Sequence, residues 1–231
     1  GSLIVSHNFR KDLEKTLNLP ENTFTVIHNL VNELFFDSYT PKRYEKGETF
    51  EFFTNSFLLP RKNIRLIIDA IKILRDKGLS VNLTIGGDGP MNETLREYVN
   101  SLNLQDHIRF TGKLWSEEVK TEIDKCHSFV LASQYETFGV VLIESLACGR
   151  PVICTDSGGP RDFVRPEHGV IVKNHEAEDL ADGMLHVMNN YNQYDQKQLI
   201  AYCKEHFNEH KIAAEIMNLY QSVLSKRVVY S

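Results

Sequence analysis

The sequence predicts an α/β fold, a doubly wound parallel sheet, and three observations carry that prediction. Past residue 48, short apolar or β-branched runs alternate with segments of helical periodicity. The runs show no polar alternation, as expected of strands covered on both faces. The helical stripes fall between consecutive runs, where the crossovers of a parallel sheet belong.

The first 45 residues stand outside this rhythm. A strand at 3–6 and a helix at 10–17 precede a second extended run at 25–28 and a polar stretch to Gly47. A strand with no neighbour to pair with in its own segment is read as the remnant of another domain. Residues 1–45 are therefore assigned to that remnant plus its linker, and residues 46–231 to the α/β domain. Gly1-Ser2 followed at once by Leu3-Ile4-Val5 reads as a cloning scar, with the natural start and any targeting signal expected upstream.

Within the domain, strands are expected at 49–53, 81–85, 107–110, 128–131, 151–155 and 170–172. Ile64, Ile67, Ile68, Ile71 and Leu74 mark the first helical stripe, and Leu95, Tyr98, Val99 and Leu102 the second. Val140, Ile143, Glu144 and Ala147 mark a third, and Leu180, Met184 and Val187 a fourth. One long helix is expected over 195–224, ending in a polar tail.

Composition narrows the function classes. With 231 residues, 42% apolar and 25% charged, the chain has the makeup of an ordinary globular protein and not of a disordered one. A net charge of -5 argues against a general nucleic-acid binder, yet leaves room for a small basic pocket holding one phosphate. No run approaches twenty apolar residues, so no membrane span is expected. Cys126, Cys148, Cys154 and Cys203 form neither a CxxC pair nor a zinc-type spacing, and read as buried free thiols of a reducing cytoplasm.

Three loops at strand carboxyl ends carry unusual residues, and open α/β sheets bind ligands at such ends. Gly86-Gly87-Asp88-Gly89-Pro90 fits either a plain strand-to-helix turn or an anion site at a helix start. It lacks the third glycine of the dinucleotide fingerprint. Thr155-Asp156-Ser157-Gly158-Gly159-Pro160 is a weaker signal of the same kind. Between them, Glu136 and Glu144 stand eight apart and bracket a turn containing Gly139. Helical spacing sets Glu144 on an otherwise apolar stripe, where a carboxylate is costly unless something polar reaches it. A ligand hydroxyl would meet that need.

Taken together, these motifs strongly resemble the C-terminal, nucleotide-sugar-binding half of the retaining glycosyltransferases with the GT-B fold, family 4. The E-x7-E hallmark is Glu136 to Glu144, followed by Ala147-Cys148-Gly149-Arg150-Pro151-Val152-Ile153. Phe110-Thr111-Gly112 and Ser157-Gly158-Gly159-Pro160 fall where the family has them, and Val26-Ile27-His28-Asn29-Leu30-Val31-Asn32 resembles its interdomain segment. The resemblance implies a Rossmann-like domain. Glu136 would stabilise an oxocarbenium-like transition state at the transferred sugar, and Glu144 would hold the ribose hydroxyls. Backbone N–H groups around Phe138, Gly139 and Val140, with Thr137 and Gly87 close by, would bind the diphosphate. Arg109 and Phe110 would lie against the base, and Lys62 would neutralise charge on the departing diphosphate, with no metal expected.

One departure stands out. The arginine that the family carries five or six residues before that lysine is replaced by Phe57 or Ser56, so Arg61 or Arg65 would have to serve, with Arg61 the first choice. Leu30 also replaces a common linker glycine. None of the nine histidines has the context of the family's acceptor-domain histidine; His28 lies in the linker, and His127, His186, His206 and His210 are assigned to helical segments. The expected partners are a UDP- or GDP-linked sugar and, through the missing N-terminal domain, an acceptor saccharide or lipid. The expected location is cytoplasmic, with the full-length protein at the inner face of the membrane. The competing readings are a nucleotide-binding module without transfer, favoured by Phe57, and a nucleotide-sugar 2-epimerase, whose class lacks this glutamate spacing.

Overall fold

The computed structural model describes residues 2–37 and 39–228; Gly1 of the expected scar and 229–231 of the expected tail lie outside the described residues. Six parallel strands form the main sheet: β3 (Phe50–Asn55), β4 (Val81–Gly86), β5 (Ile108–Gly112), β6 (Ser128–Leu131), β7 (Val152–Thr155) and β8 (Gly169–Val172). Their spatial order is β5-β4-β3-β6-β7-β8. The chain winds outward from β3 to β5, returns to the centre at β6, and winds outward again to β8. The α/β, doubly wound expectation holds. Its reversal point lies between β3 and β6, which pair directly through Phe52–Ser128 and Phe53–Phe129.

Helices α2 (Ile64–Asp76), α3 (Asn92–Ser101) and α6 (Ala177–Asn189) cover one face of the sheet. On the other lie α4 (Ser116–Lys125), α5 (Val140–Ala147) and α7 (Gln196–His206). Strand alternation feeds both cores: Phe50 and Phe52 enter the first, and Phe53 the second. α4 has no counterpart among the stripes read from the sequence. Its segment Ser-Glu-Glu-Val-Lys-Thr-Glu-Ile-Asp-Lys buries only Val119 and Ile123 as apolar contacts, too few to stand out as a stripe.

Two other expectations are corrected. The first 45 residues do contain a strand pair: β1 (Ser2–Ile4) and β2 (Phe24–Val26) align in parallel. Helix α1 (His7–Thr16) supplies the crossover between them, so the run at 25–28 is partly a strand and not only linker. The single long terminal helix is broken into α7 and α8 (Glu209–Val228). Phe207 leaves the helix to pack against Phe138 and Phe163, and Asn208 then caps α8 by accepting from Lys211 N.

The stretch between β2 and β3 packs onto the domain. Val31 and Phe35 are buried, and Val31 N donates to Phe207 O at 2.8 Å. Arg150 secures this stretch. Its guanidinium is fully buried and donates to Thr40 O and Asp124 O, each at 3.0 Å, and to Ile123 O at 3.3 Å. His127, assigned to a helical segment from the sequence, instead adjoins β6, where its ring stacks on Phe50 and its Nδ1 accepts from Glu51 N. Burial pushes its pKa down to about 3, so it is neutral. The four cysteines are free and buried, as expected.

Replacing Arg150 by Ala would orphan those buried carbonyls and open a void. Arg150→Ala is expected to cost about 3 kcal/mol or more, read as a lower urea midpoint at constant m-value. A loss below about 1 kcal/mol would mean that the linker is held by other contacts.

Candidate active site at the switch point

Because β3 and β6 are neighbours, the loops leaving their carboxyl ends emerge side by side. The loop after β3 ends in a 3₁₀ turn, Pro60–Lys62, just before α2. The loop after β6 carries Ser133 to Gly139. The two are tied by Gln134 N donating to Arg61 O at 2.9 Å. Across this junction the Lys62 ammonium meets the Glu136 carboxylate in a direct ion pair. Both side chains are largely sheltered, at 14% and 11% exposure. Ser133 Oγ donates to the same Glu136 oxygen at 2.7 Å. Sequence reasoning missed Ser133; its only signal is a hydroxyl three positions before the glutamate.

Glu136 is fixed from a second side as well. Its N–H donates to Ser157 O and its carbonyl accepts from Gly159 N, each at 2.9 Å. Gly159 permits this approach: a Cβ there would lie 2.5 Å from the Phe138 backbone. The loop after β7 thus braces the loop after β6.

Past the glutamate the chain turns into α5 through Gly139, a left-handed N-cap with φ 95° and no side-chain cap. The first N–H groups of α5 are free of side-chain caps and carry the positive end of the helix dipole. Thr137 is exposed beside them, Val140 is half-buried, and the Phe138 ring lies in the core, leaving only its backbone to face a ligand. One and a half turns along, burial pushes the Glu144 pKa up to about 7. Among the described residues no hydrogen bond or ion pair reaches its carboxylate.

The remaining candidates divide. Arg61 is exposed beside Lys62, whereas the Arg65 guanidinium lies 4.1 Å from the Tyr98 ring centroid and is already engaged. Phe57 is 60% exposed. Gly87 has a packing reason of its own: a Cβ there would lie 1.8 Å from Ser56 O. The loops after β3 and β4 interlock at that point, with Ser56 N donating to Gly86 O and Leu58 N to Asp88 O. Arg109 and Phe110 sit on opposite faces of the edge strand β5, because successive side chains alternate. Arg109 donates to Glu122 at 2.5 Å and to Thr84 at 3.0 Å, and Phe110 packs into the first core beneath Arg96. Neither side chain joins the Lys62–Glu136 group. Among the described residues no cluster of His, Cys, Asp or Glu has the makeup of a metal site. No helix among them is long and apolar enough to cross a membrane.

Residues 36–206 match the family described as glycosyl transferases group 1, and the chain belongs to that family. An uncharacterized glycosyltransferase of Methanocaldococcus jannaschii is 30% identical over 190 residues, covering 81% of this chain and 49% of its own. The 2-deoxystreptamine N-acetyl-D-glucosaminyltransferase of Niallia circulans is 29% identical over 158 residues, covering 67% of this chain and 41% of its own. The chain thus spans less than half of each of these relatives. Among solved structures, S. aureus TarM in a complex with UDP superposes with a TM-score of 0.80 at 23% identity, covering 95% of this chain and 43% of its own. Anabaena HepE in complex with UDP-glucose gives 0.80 at 18% identity, covering 95% and 63%. These structural neighbours are GT-B glycosyltransferases, and the fold is shared with them.

The elevated pKa of Glu144 has a measurable consequence. A carboxyl that titrates near 7 when folded and near 4.5 when unfolded binds more protons in the folded state between those values. Stability therefore falls as pH rises through that window, by up to about 3 kcal/mol. Glu144→Gln is expected to flatten this part of the stability profile between pH 5 and 8. An unchanged profile would assign the slope to other groups.

Proposed function

We propose that this member of the glycosyl transferases group 1 family is the donor-binding, C-terminal half of a family 4 GT-B glycosyltransferase that transfers its sugar with retention of anomeric configuration. The observation that carries the reading is the Lys62–Glu136 pair beside the uncapped start of α5, all at the reversal point of the sheet. A cation, a carboxylate and a helix dipole at one sheet reversal are the groups that a diphosphate and the sugar it carries would need.

The roles follow from the chemistry of each group. An ammonium has three donors; Lys62 gives one to Glu136 and keeps two for a diphosphate. The N–H groups opening α5 add fixed positive potential to the same anion. Arg61, with a free guanidinium next to Lys62, takes the place of the family arginine absent at Ser56 and Phe57; the engagement of Arg65 with Tyr98 favours that choice. As the sugar–phosphate bond breaks, negative charge grows on the leaving diphosphate, where these groups stabilise it without a metal ion. Glu136, held by Ser133 and the backbone of the loop after β7, accepts hydrogen bonds from the sugar and balances positive charge at its anomeric carbon. Glu144 accepts from the ribose hydroxyls, which supply the polar contact that its apolar setting lacks.

TarM was captured with UDP and HepE with UDP-glucose, which supports a uridine nucleotide ahead of a guanosine one. The coverage of under half of the curated relatives supports an acceptor domain elsewhere in the complete enzyme. A saccharide or lipid-linked acceptor, polysaccharide or lipopolysaccharide assembly, and action on the cytoplasmic side belong to the same reading.

Titration of UDP-glucose and GDP-mannose into the 231-residue chain tests it. Lys62→Ala is expected to weaken binding of the favoured donor by about tenfold or more, the loss typical of a charge-assisted contact. Unchanged affinity would move the diphosphate site elsewhere. If the ribose contacts ionised Glu144, donor affinity should rise about tenfold from pH 6 to pH 8, since a group titrating near 7 leaves the binding form scarce below that value. Glu144→Gln should remove the rise. In the complete enzyme, Glu136→Ala should lower turnover by about a hundredfold, and an inverted product would exclude the retaining reading.

A further inference from the structure

Asp162 lies at the end of the 3₁₀ turn Gly159–Asp162, away from the Lys62–Glu136 pair and from Glu144. Its side chain is only 2% exposed and contacts the N-terminal segment. Oδ2 accepts from His7 N at 2.5 Å and Oδ1 from Asn8 N at 3.0 Å. The Asn8 side-chain amide donates to Oδ1 as well. His7 and Asn8 are the first two residues of α1, so a carboxylate 154 positions away completes the cap that Ser6 begins. The His28 Nε2 stands 3.6 Å from the same carboxylate. Burial raises the Asp162 pKa, but His28 and the donors of His7 and Asn8 outweigh it and hold the carboxyl down at about 2.

Two rings of that clamped segment then touch the loop that carries Glu136. Phe9, on α1, meets Tyr135 edge to face with centroids 5.7 Å apart. His28, after β2, packs on Phe138 at 5.4 Å. Tyr135 and Phe138 flank Glu136 and Thr137 in sequence. Meanwhile the turn that bears Asp162 begins at Gly159, whose N–H donates to the Glu136 carbonyl. The carboxylate, the two rings and the braced loop form one closed circuit of contacts.

We infer that Asp162 is a positioning residue for the Glu136 loop: by clamping α1 and His28, it presses Phe9 and His28 onto Tyr135 and Phe138. This rests on the donor-binding role proposed above for residues 136–140. The segment 2–28 is then part of the donor site's scaffold, and a movement of that segment is transmitted to the backbone groups at the start of α5. The rings transmit position because they are packed, while the charge on Asp162 supplies the attraction that keeps α1 in contact.

The test uses the ¹⁵N-labelled 231-residue chain, with UDP as the probe and all measurements below the melting transition of each variant. Asp162→Ala is expected to shift the amide resonances of Thr137, Phe138 and Gly139 along with those of His7 and Asn8, and to weaken UDP binding by about tenfold. Asp162→Asn, which keeps one acceptor oxygen, should fall between it and the unmodified chain. Asp162→Ala could release residues 2–28 altogether, so His28→Gln provides the second arm. It keeps a polar group toward Asp162 and removes the ring from Phe138, and should by itself move the Phe138 and Gly139 resonances. If both variants move only residues 7, 8 and 28 while residues 137–139 and UDP affinity stay as in the unmodified chain, the positioning role is overturned. Failure of the unmodified chain to bind UDP would instead overturn the donor-site reading, and the resonances would still judge the clamp.

Discussion

The constraint on which everything else depends is the direct pairing of β3 with β6. Winding a parallel sheet outward in two directions from its middle leaves one place where consecutive crossovers diverge, and at that place no helix covers the strand ends. Lys62 and Glu136 belong to loops far apart in the sequence, and only this adjacency brings their charges together. Neither charge would be tolerated in so sheltered a position alone, since desolvating an unpaired ion costs several kcal/mol. As a pair, backed by Ser133 and the carbonyl and amide of Glu136 itself, they hold a fixed geometry.

Glu144 presents the opposite case. It has no counter-charge and no hydrogen-bond partner among the described residues, and its raised pKa records that cost. The contrast between a compensated carboxylate and an uncompensated one, eight residues apart, gives the two glutamates separate chemistry from a single loop and helix.

Much of this was legible in the sequence because it rests on periodicity and local chemistry. The runs that became β3 to β8 are short and rich in apolar or β-branched residues, and the stripe from Ile64 to Leu74 marks α2 directly. The misplacement of Glu144 on an apolar stripe could be read from spacing alone. α4 escaped notice because a short helix with two buried apolar residues hides among its charges. The break at Phe207 escaped for another reason. The local signal there is slight, the cap residue Asn208, and the packing of Phe207 with Phe138 and Phe163 accompanies the break. At Gly87 the structure adds a packing requirement that the sequence does not reveal, close backbone approach to Ser56.

By itself, then, the sequence determined the fold class and the order of the strands along the chain, since each depends on patterns within a few turns or one strand. Only the tertiary structure decided which groups meet. It paired Lys62 with Glu136, left Arg61 exposed while Arg65 packs on Tyr98, and turned Arg109 toward Glu122. It also closed Ser2–Val26 into a β1-α1-β2 unit and tied α1 to Asp162. The physical reason is the same in each case. A side chain's partner is set by the distance between elements, and that distance follows from the winding of the whole sheet.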